Sequence, residues 1–114
     1  MQAVARARFL RGSGRKMRQV IDLVRGKKVD QALNILRFTH KKSALALEKI
    51  IRSAVANAQM IHGDKLHDPN DLTIVTATCN DGPMMKRIQA RAMGRAYRIR
   101  KRTCHCTIIV ATDK

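Results

Sequence analysis

PMMKRIQARAMGRAYRIRKR, residues 83 to 102, holds Lys86, Arg87, Arg91, Arg95, Arg98, Arg100, Lys101 and Arg102 and not one acid. Like charges this dense repel unless a polyanion neutralises them, and the scattered apolar residues suit neither a helical face nor a buried strand. On both sides the pattern changes to alternation. Leu72 to Cys79 and Thr103 to Thr112 are rich in β-branched residues at period two, which predicts two antiparallel strands with the basic stretch between them. In the first run Thr73, Val75, Ala77 and Cys79 share a face opposite Leu72, Ile74, Thr76 and Thr78. In the second, Cys104, Cys106, Ile108 and Val110 oppose Thr103, His105, Thr107 and Ile109. The connection far exceeds the about 2 to 5 residues of an ordinary hairpin loop. With the strands continuing into it and turning near Gly94, each arm gains roughly ten residues at about 3.3 Å, and a ribbon on the order of 30 Å long projects from the body. An isolated two-stranded ribbon is marginal in water, so its tip is expected to be mobile alone and ordered in a polyanionic surrounding.

Upstream, Asp64 to Asp71 with Pro69 reads as a polar loop. Before it, Lys42 to Ile61 carries Leu47, Ile50, Ile51, Ala54, Val55, Ala58 and Ile61 at helical spacing, with Gly63 placed as a left-handed terminator. A shorter helix is marked by Ala32, Leu33 and Leu36, with Asp30 as its cap and Phe38-Thr39-His40 at its end. Another follows Gly12-Ser13-Gly14: Ser13 can cap it, Met17, Val20, Ile21 and Val24 form its stripe, and Gly26 closes it. Residues 2 to 10 alternate as a strand whose small-residue face is Ala3, Ala5, Ala7 and Phe9, opposite Val4, Arg6, Arg8 and Leu10. The order predicts a single α+β domain over residues 1–114, with an extended basic hairpin at about 80–103.

The net charge of +16 is uneven along the 114 residues. Residues 1–28 hold Arg6, Arg8, Arg11, Arg15, Lys16, Arg18, Arg25, Lys27 and Lys28 against Asp22 alone; residues 29–82 balance; residues 83–114 are basic again, against Asp113. A neutral core between two basic ends fits a phosphate-rich partner, whose binding through counterion release weakens steeply with salt. The aromatic residues are only Phe9, Phe38 and Tyr97, too few for stacking platforms on single strands. No window approaches the roughly 18 apolar residues of a membrane helix, and no signal-like stretch opens the chain, which points to a soluble, cytoplasmic protein.

Cys79, Cys104 and Cys106 are odd in number, the pattern of a reduced compartment rather than of a disulfide framework. Cys104-His105-Cys106 lacks the two-residue spacing of zinc pairs and reads as small buried hydrophobes, with no metal. His40, His62 and His67 fall at helix ends or in loops, and the acids never pair on a shared face, so the chain shows no catalytic constellation and calls for no cofactor. The residues selected for contact with the phosphate-rich partner are Arg11, Arg15, Lys16, Arg18, Arg25, Lys27 and Lys28, together with all eight bases of the 83–102 stretch.

Several signatures occur in order: Ser13-Gly14-Arg15-Lys16-Met17-Arg18, Asp22-Leu23-Val24-Arg25-Gly26-Lys27, Ala32-Leu33-Asn34-Ile35-Leu36, Ser53-Ala54-Val55-Ala56-Asn57-Ala58, Asp81-Gly82-Pro83 with Lys86-Arg87, Arg91-Ala92-Met93-Gly94-Arg95-Ala96, and Lys101-Arg102-Thr103-Cys104-His105. From about Ala3 to Val110 the chain resembles the bacterial-type family of protein twenty-two of the large ribosomal subunit. The resemblance implies three helices packed on a small antiparallel three-stranded sheet, with one long protruding β-hairpin. It implies that the hairpin threads through large-subunit ribosomal RNA, and that its tip, at Arg91, Ala92, Met93, Gly94, Arg95 and Ala96, lines the peptide exit tunnel near the macrolide site and meets nascent peptide. Lys86 and Arg87 match the family's basic pair on the hairpin shaft, and the body is implied to sit at the subunit surface beside neighbouring ribosomal proteins. Ala90 stands where the family commonly has proline, Met93 where a basic residue is frequent, and Cys104 and Cys106 where serine and an aliphatic residue are usual. The alternatives are an architectural DNA-binding protein with basic β-arms and a nuclease or RNA-modifying enzyme.

Overall fold

Cys104, Cys106, Ile108 and Val110 point from one strand into the core, and the rest of the body is arranged around that strand. A computed structural model describes residues 2–63, 71–90, 92–94 and 96–112. In chain order the elements are β1 (Gln2–Arg11), α1 (Gly14–Val24), α2 (Val29–Arg37), α3 (Lys42–His62), β2 (Thr73–Asp81), β3 (Met85–Ala90), a short 3-10 turn (Ala92–Gly94), β4 (Ala96–Lys101) and β5 (Thr103–Ala111). The sheet order is β1-β5-β2 with both pairings antiparallel, and β3 and β4 form a separate two-stranded ribbon. The architecture is therefore the expected α+β class. Asp64 to Asn70 of the expected polar loop, His67 included, lie outside the described residues, as do Arg91 and Arg95 of the tip, where the expectation of mobility falls.

The helices cover one face of the sheet, α3 mainly on β1 and α1 on β2. Ile21, Leu47, Ile51, Leu72, Ile74 and Ile108 are fully buried between them. Burial of each such side chain stabilises the fold by roughly 1.5–3 kcal/mol, an aliphatic core in place of an aromatic one. Among the described helices none is long and apolar enough to cross a membrane.

Two bulges redraw the faces expected for the outer strands. In β1, Ala7 pairs with Cys106 and Leu10 with Cys104, so Arg8 and Phe9 together oppose His105. Phe9 takes φ 58°, leaves the small-residue face and is 57% exposed, while Leu10 turns to pack against the core. The Phe9 N–H donates to Nδ1 of His105 at 3.0 Å, and the two rings meet edge to face at 4.8 Å. In β2 the register shifts between Ile74 and Thr76. Leu72 and Ile74 from one expected face and Ala77 and Cys79 from the other are all buried, with Val75 turned out between them.

The helix ends differ from the reading in two places. Ser13 caps α1 as expected, accepting the N–H of Arg15 at 3.2 Å, and Gly26 takes the left-handed φ of 79° just beyond. Asp30 does not cap α2; Lys28 occupies that position without a side-chain bond, and Asp30 lies in the first turn. The backbone sets this start, because Gly26 and Val29 donate to the carbonyls of Ile74 and Leu72 while Ile74 donates to that of Lys27. The carboxylate of Asp30 still lies near the positive end of the helix dipole. At the end of α3, Gly63 is right-handed, with φ −50° and ψ −42°. His62, four residues after buried Ala58, takes the sheet-facing position with Nε2 3.1 Å from the Gln2 carbonyl, so Ile61 of the expected stripe is turned to solvent.

The ribbon is not a continuous extension of β2 and β5. Residues 82–84 and Arg102 interrupt the strands, and β3 pairs with β4 from Met85↔Lys101 to Ala90↔Ala96. Six residues at about 3.3 Å each give an arm on the order of 20 Å, with the turn beyond it. Gly82 N–H bonds the Thr103 carbonyl at 2.9 Å, and the Thr103 hydroxyl donates to that of Pro83 at 2.6 Å. A side chain at Gly82 would meet Thr103 Oγ1 at 2.7 Å, so the joint has no room for one. The molecule measures 65 × 25 × 16 Å, and its radius of gyration of 17.2 Å exceeds the about 13 Å of a compact chain of about 100 residues.

Cys79, Cys104 and Cys106 are buried, as expected of small hydrophobes. Burial raises the Cys104 thiol to about 11 and pushes that of Cys106 higher still, with Cys79 adding to both shifts. Both stay protonated at neutral pH.

Candidate nucleic-acid interface

Where the ribbon leaves the body, three distant parts of the chain enclose a cleft of about 570 Å³. Arg11 comes from the end of β1, Arg15 and Lys16 from the first turn of α1, Lys42 from the start of α3, and Arg100, Lys101 and Arg102 from the base of the ribbon. The remaining lining residues are Gly12 and Ser13, and the Gly12 N–H fastens the two ends together through the Arg102 carbonyl at 3.0 Å. Seven of nine lining residues are thus cations and none is an acid.

Local sequence explains the concentration. Gly12 adopts φ 149° to turn the chain out of β1, and Ser13 starts α1 at once. The first turn of α1 carries no acid, although the dipole favours one there. Arg15 and Lys16 therefore add positive charge to an end that is already positive, an arrangement that suits an external anion. Arginine is well matched to this, since its planar fork can bridge two phosphates.

The selected bases separate into groups. Arg11, Arg15, Lys16, Arg100, Lys101 and Arg102 meet in the cleft. Lys86 and Arg87 lie exposed on the ribbon, and register pairs Lys86 with Arg100 and Arg87 with Ile99. Arg98 pairs with Ile88 across the ribbon, and Arg91 and Arg95 fall outside the described residues. Lys27 and Lys28 sit at the far end of α1, beside the start of β2, where Lys28 bridges to Thr73.

Arg18 and Arg25 have partners inside the body. Arg18 donates through Nε to the Cys79 carbonyl at 3.0 Å and lies 3.4 Å from Asp81; Arg25 donates to the Ala77 carbonyl at 2.8 Å and pairs with Asp22 at 3.2 Å. Both strap α1 to β2, although their side chains stay about half exposed. The Asp22–Arg25 spacing of three was visible in the sequence; the reach of Arg18 to β2 was not. Lys42 is the cleft residue that was not selected. It belongs to a Lys41-Lys42 doublet at the start of a predicted helix, but that this helix starts beside the end of β1 is a tertiary fact.

Residues 5–111 match the sequence profile of the family described as ribosomal protein L22p/L17e. The chain is 52% identical over 110 residues to the large ribosomal subunit protein uL22 of Maridesulfovibrio salexigens, covering 96% of this chain and 97% of that one. It is 49% identical over 114 residues to the large ribosomal subunit protein uL22 of Halothermothrix orenii, covering 100% and 98%.

Proposed function

The chain belongs to the ribosomal protein L22p/L17e family, and on that premise we propose that the cleft and the ribbon neutralise phosphates where segments of large-subunit ribosomal RNA converge. It is a structural constituent of the cytoplasmic large ribosomal subunit, not an enzyme, and it binds ribosomal RNA and other ribosomal proteins. The observation that carries the residue-level reading is the cleft itself, seven bases and no acid gathered from three parts of the chain. Folding brings these like charges together, and phosphates between them relieve the repulsion and release counterions.

In this reading Arg11, Arg15, Lys16, Lys42, Arg100, Lys101 and Arg102 seat the body on RNA, and Lys86, Arg87, Arg91, Arg95 and Arg98 line the path of the ribbon. Lys27 and Lys28 contact a separate segment from the far end of α1. Arg18 and Arg25 act first as struts of the fold. The tip, Arg91 to Ala96, lines the peptide exit tunnel and faces the nascent chain. Family membership favours this over a DNA-bending arm.

A tagged copy expressed in bacteria and followed through a sucrose gradient tests the reading. Co-migration with the large subunit that survives a high-salt wash is expected, and release to the top of the gradient or migration with DNA overturns it. The tunnel position has its own test. Deleting Met85 to Arg87 should alter growth in the presence of a macrolide, and unchanged sensitivity counts against it.

A further inference from the structure

The three cysteines converge although the sequence scatters them. Register sets Cys79 directly across from Cys106 and places Cys104 opposite Asp81, so the side chains form a triangle on the buried face of β2 and β5. All three sulfurs lie within 4.8 Å of one another, with Cys106 and Cys79 at 3.2 Å. Thiolates on one tetrahedral zinc-type ion, at about 2.3 Å per bond, stand about 3.8 Å apart, inside that range. The spacing of Cys104-His105-Cys106 does not reveal this, because the third sulfur comes from the neighbouring strand.

Two surroundings add to the geometry. Cys104, with Met17, lines a cavity of about 690 Å³ between the starts of α1 and α3, which gives an ion a route from solvent and room for a fourth donor. Arg18 donates to the Cys79 carbonyl at 3.0 Å and lies 3.4 Å from Asp81, which pairs with Cys104, so a matched cation and carboxylate stand beside the site.

We propose that Cys79, Cys104 and Cys106 bind one divalent d10 ion of the zinc class as three thiolates, with the fourth position left to water. Three S–H bonds break, three metal–sulfur bonds form and three protons pass to solvent; no electrons move. The trithiolate site then carries a net charge of −1, whereas a monovalent ion would leave −2, and the Arg18 guanidinium beside it is shared with Asp81. The ion would staple β2 to β5 at the root of the ribbon, independently of RNA.

The test is an anaerobic titration of the reduced full chain with cobalt(II), read by its thiolate-to-metal charge-transfer absorption and by proton release. The expected result is saturation at one cobalt per chain, about three protons released, and displacement by zinc(II). Loss of the band in Cys79→Ala and in Cys106→Val, each checked for helix content by circular dichroism, assigns it to the triangle. No band from the wild-type chain at excess cobalt overturns the proposal without recourse to any variant. A band that persists in folded Cys79→Ala also overturns it. Co-migration with the large subunit is scored separately, so failure here leaves the RNA reading standing.

Discussion

The body and the ribbon use opposite rules for the same chain. In the body, apolar side chains are removed from water and the described ion pairs, Arg18–Asp81, Arg25–Asp22 and Arg52–Glu48, all belong to it. In the ribbon, Ile88 is 76% exposed and Met93 is 92% exposed, and the register sets Lys86 against Arg100. The body folds against its own core. The ribbon has one hydrogen-bonded partner strand, and the described side chains of β3 are exposed, so pairing alone leaves it marginal in water. Here local pairing gives shape, and burial or a partner gives stability.

Truncation should separate the regions most strongly. Leu47→Ala removes a fully buried side chain from α3 and should lower stability by about 2–5 kcal/mol. Ile88→Ala on the ribbon should stay within about 0.5 kcal/mol. Denaturant unfolding of both variants checks this, and comparable losses would show that the ribbon is part of the cooperative core.

The next largest effect is on pH. Cys104 in the folded body holds its proton to about 11 against an ordinary value of 9.0, so between these values the native state binds more protons than the unfolded one. Stability is present below pH 9 and falls as pH rises toward 11, by at most about 3 kcal/mol from this thiol. Thermal unfolding of the reduced protein across that window should show a decline that Cys104→Ala reduces. An equal decline in both would remove the thiol as its cause.

How much of this was legible depends on where the determining contacts lie. The core face of β5 was read correctly because one uninterrupted alternation carries it. The faces of β1 and β2 were not, because one extra residue in each strand inverts the phase, and nothing in Arg8-Phe9 or Val75 announces a bulge. Ser13 was found because a cap is local, whereas Asp30 was misplaced because the start of α2 is fixed by bonds to β2, distant in sequence. Charge density identified the ribbon and most of the cleft. It could not show that Arg18 and Arg25 reach β2, that Lys42 joins the cleft, or that Cys79 meets Cys104 and Cys106.

A smaller effect tests the boundary between the regions. Ser13→Ala leaves the Arg15 N–H without its side-chain acceptor and should lower stability by about 1 kcal/mol. Because Ser13 also lines the cleft, the same variant should leave the salt dependence of RNA binding unchanged, which a filter-binding titration can measure. A changed slope would mean that the cap and the phosphate site cannot be separated.

The smallest effect on stability is the sharpest test of the contrast, because its sign is opposite to the others. Lys86 and Arg100 are directly paired across the ribbon, and like charges so placed destabilise a sheet by roughly 0.2–1 kcal/mol. Replacing Lys86 by Gln should therefore leave the free protein equal or slightly more stable, as measured by unfolding at low salt. If Lys86 contacts phosphate as proposed, the same change should reduce the slope of log affinity against log salt by about 0.9 on duplex RNA, taking the B-form value as a guide. Gain in one measurement and loss in the other is what a charge kept for a partner requires. Loss in both would mean that Lys86 stabilises the ribbon from within, and the division between a self-sufficient body and a partner-dependent arm would fail at that residue.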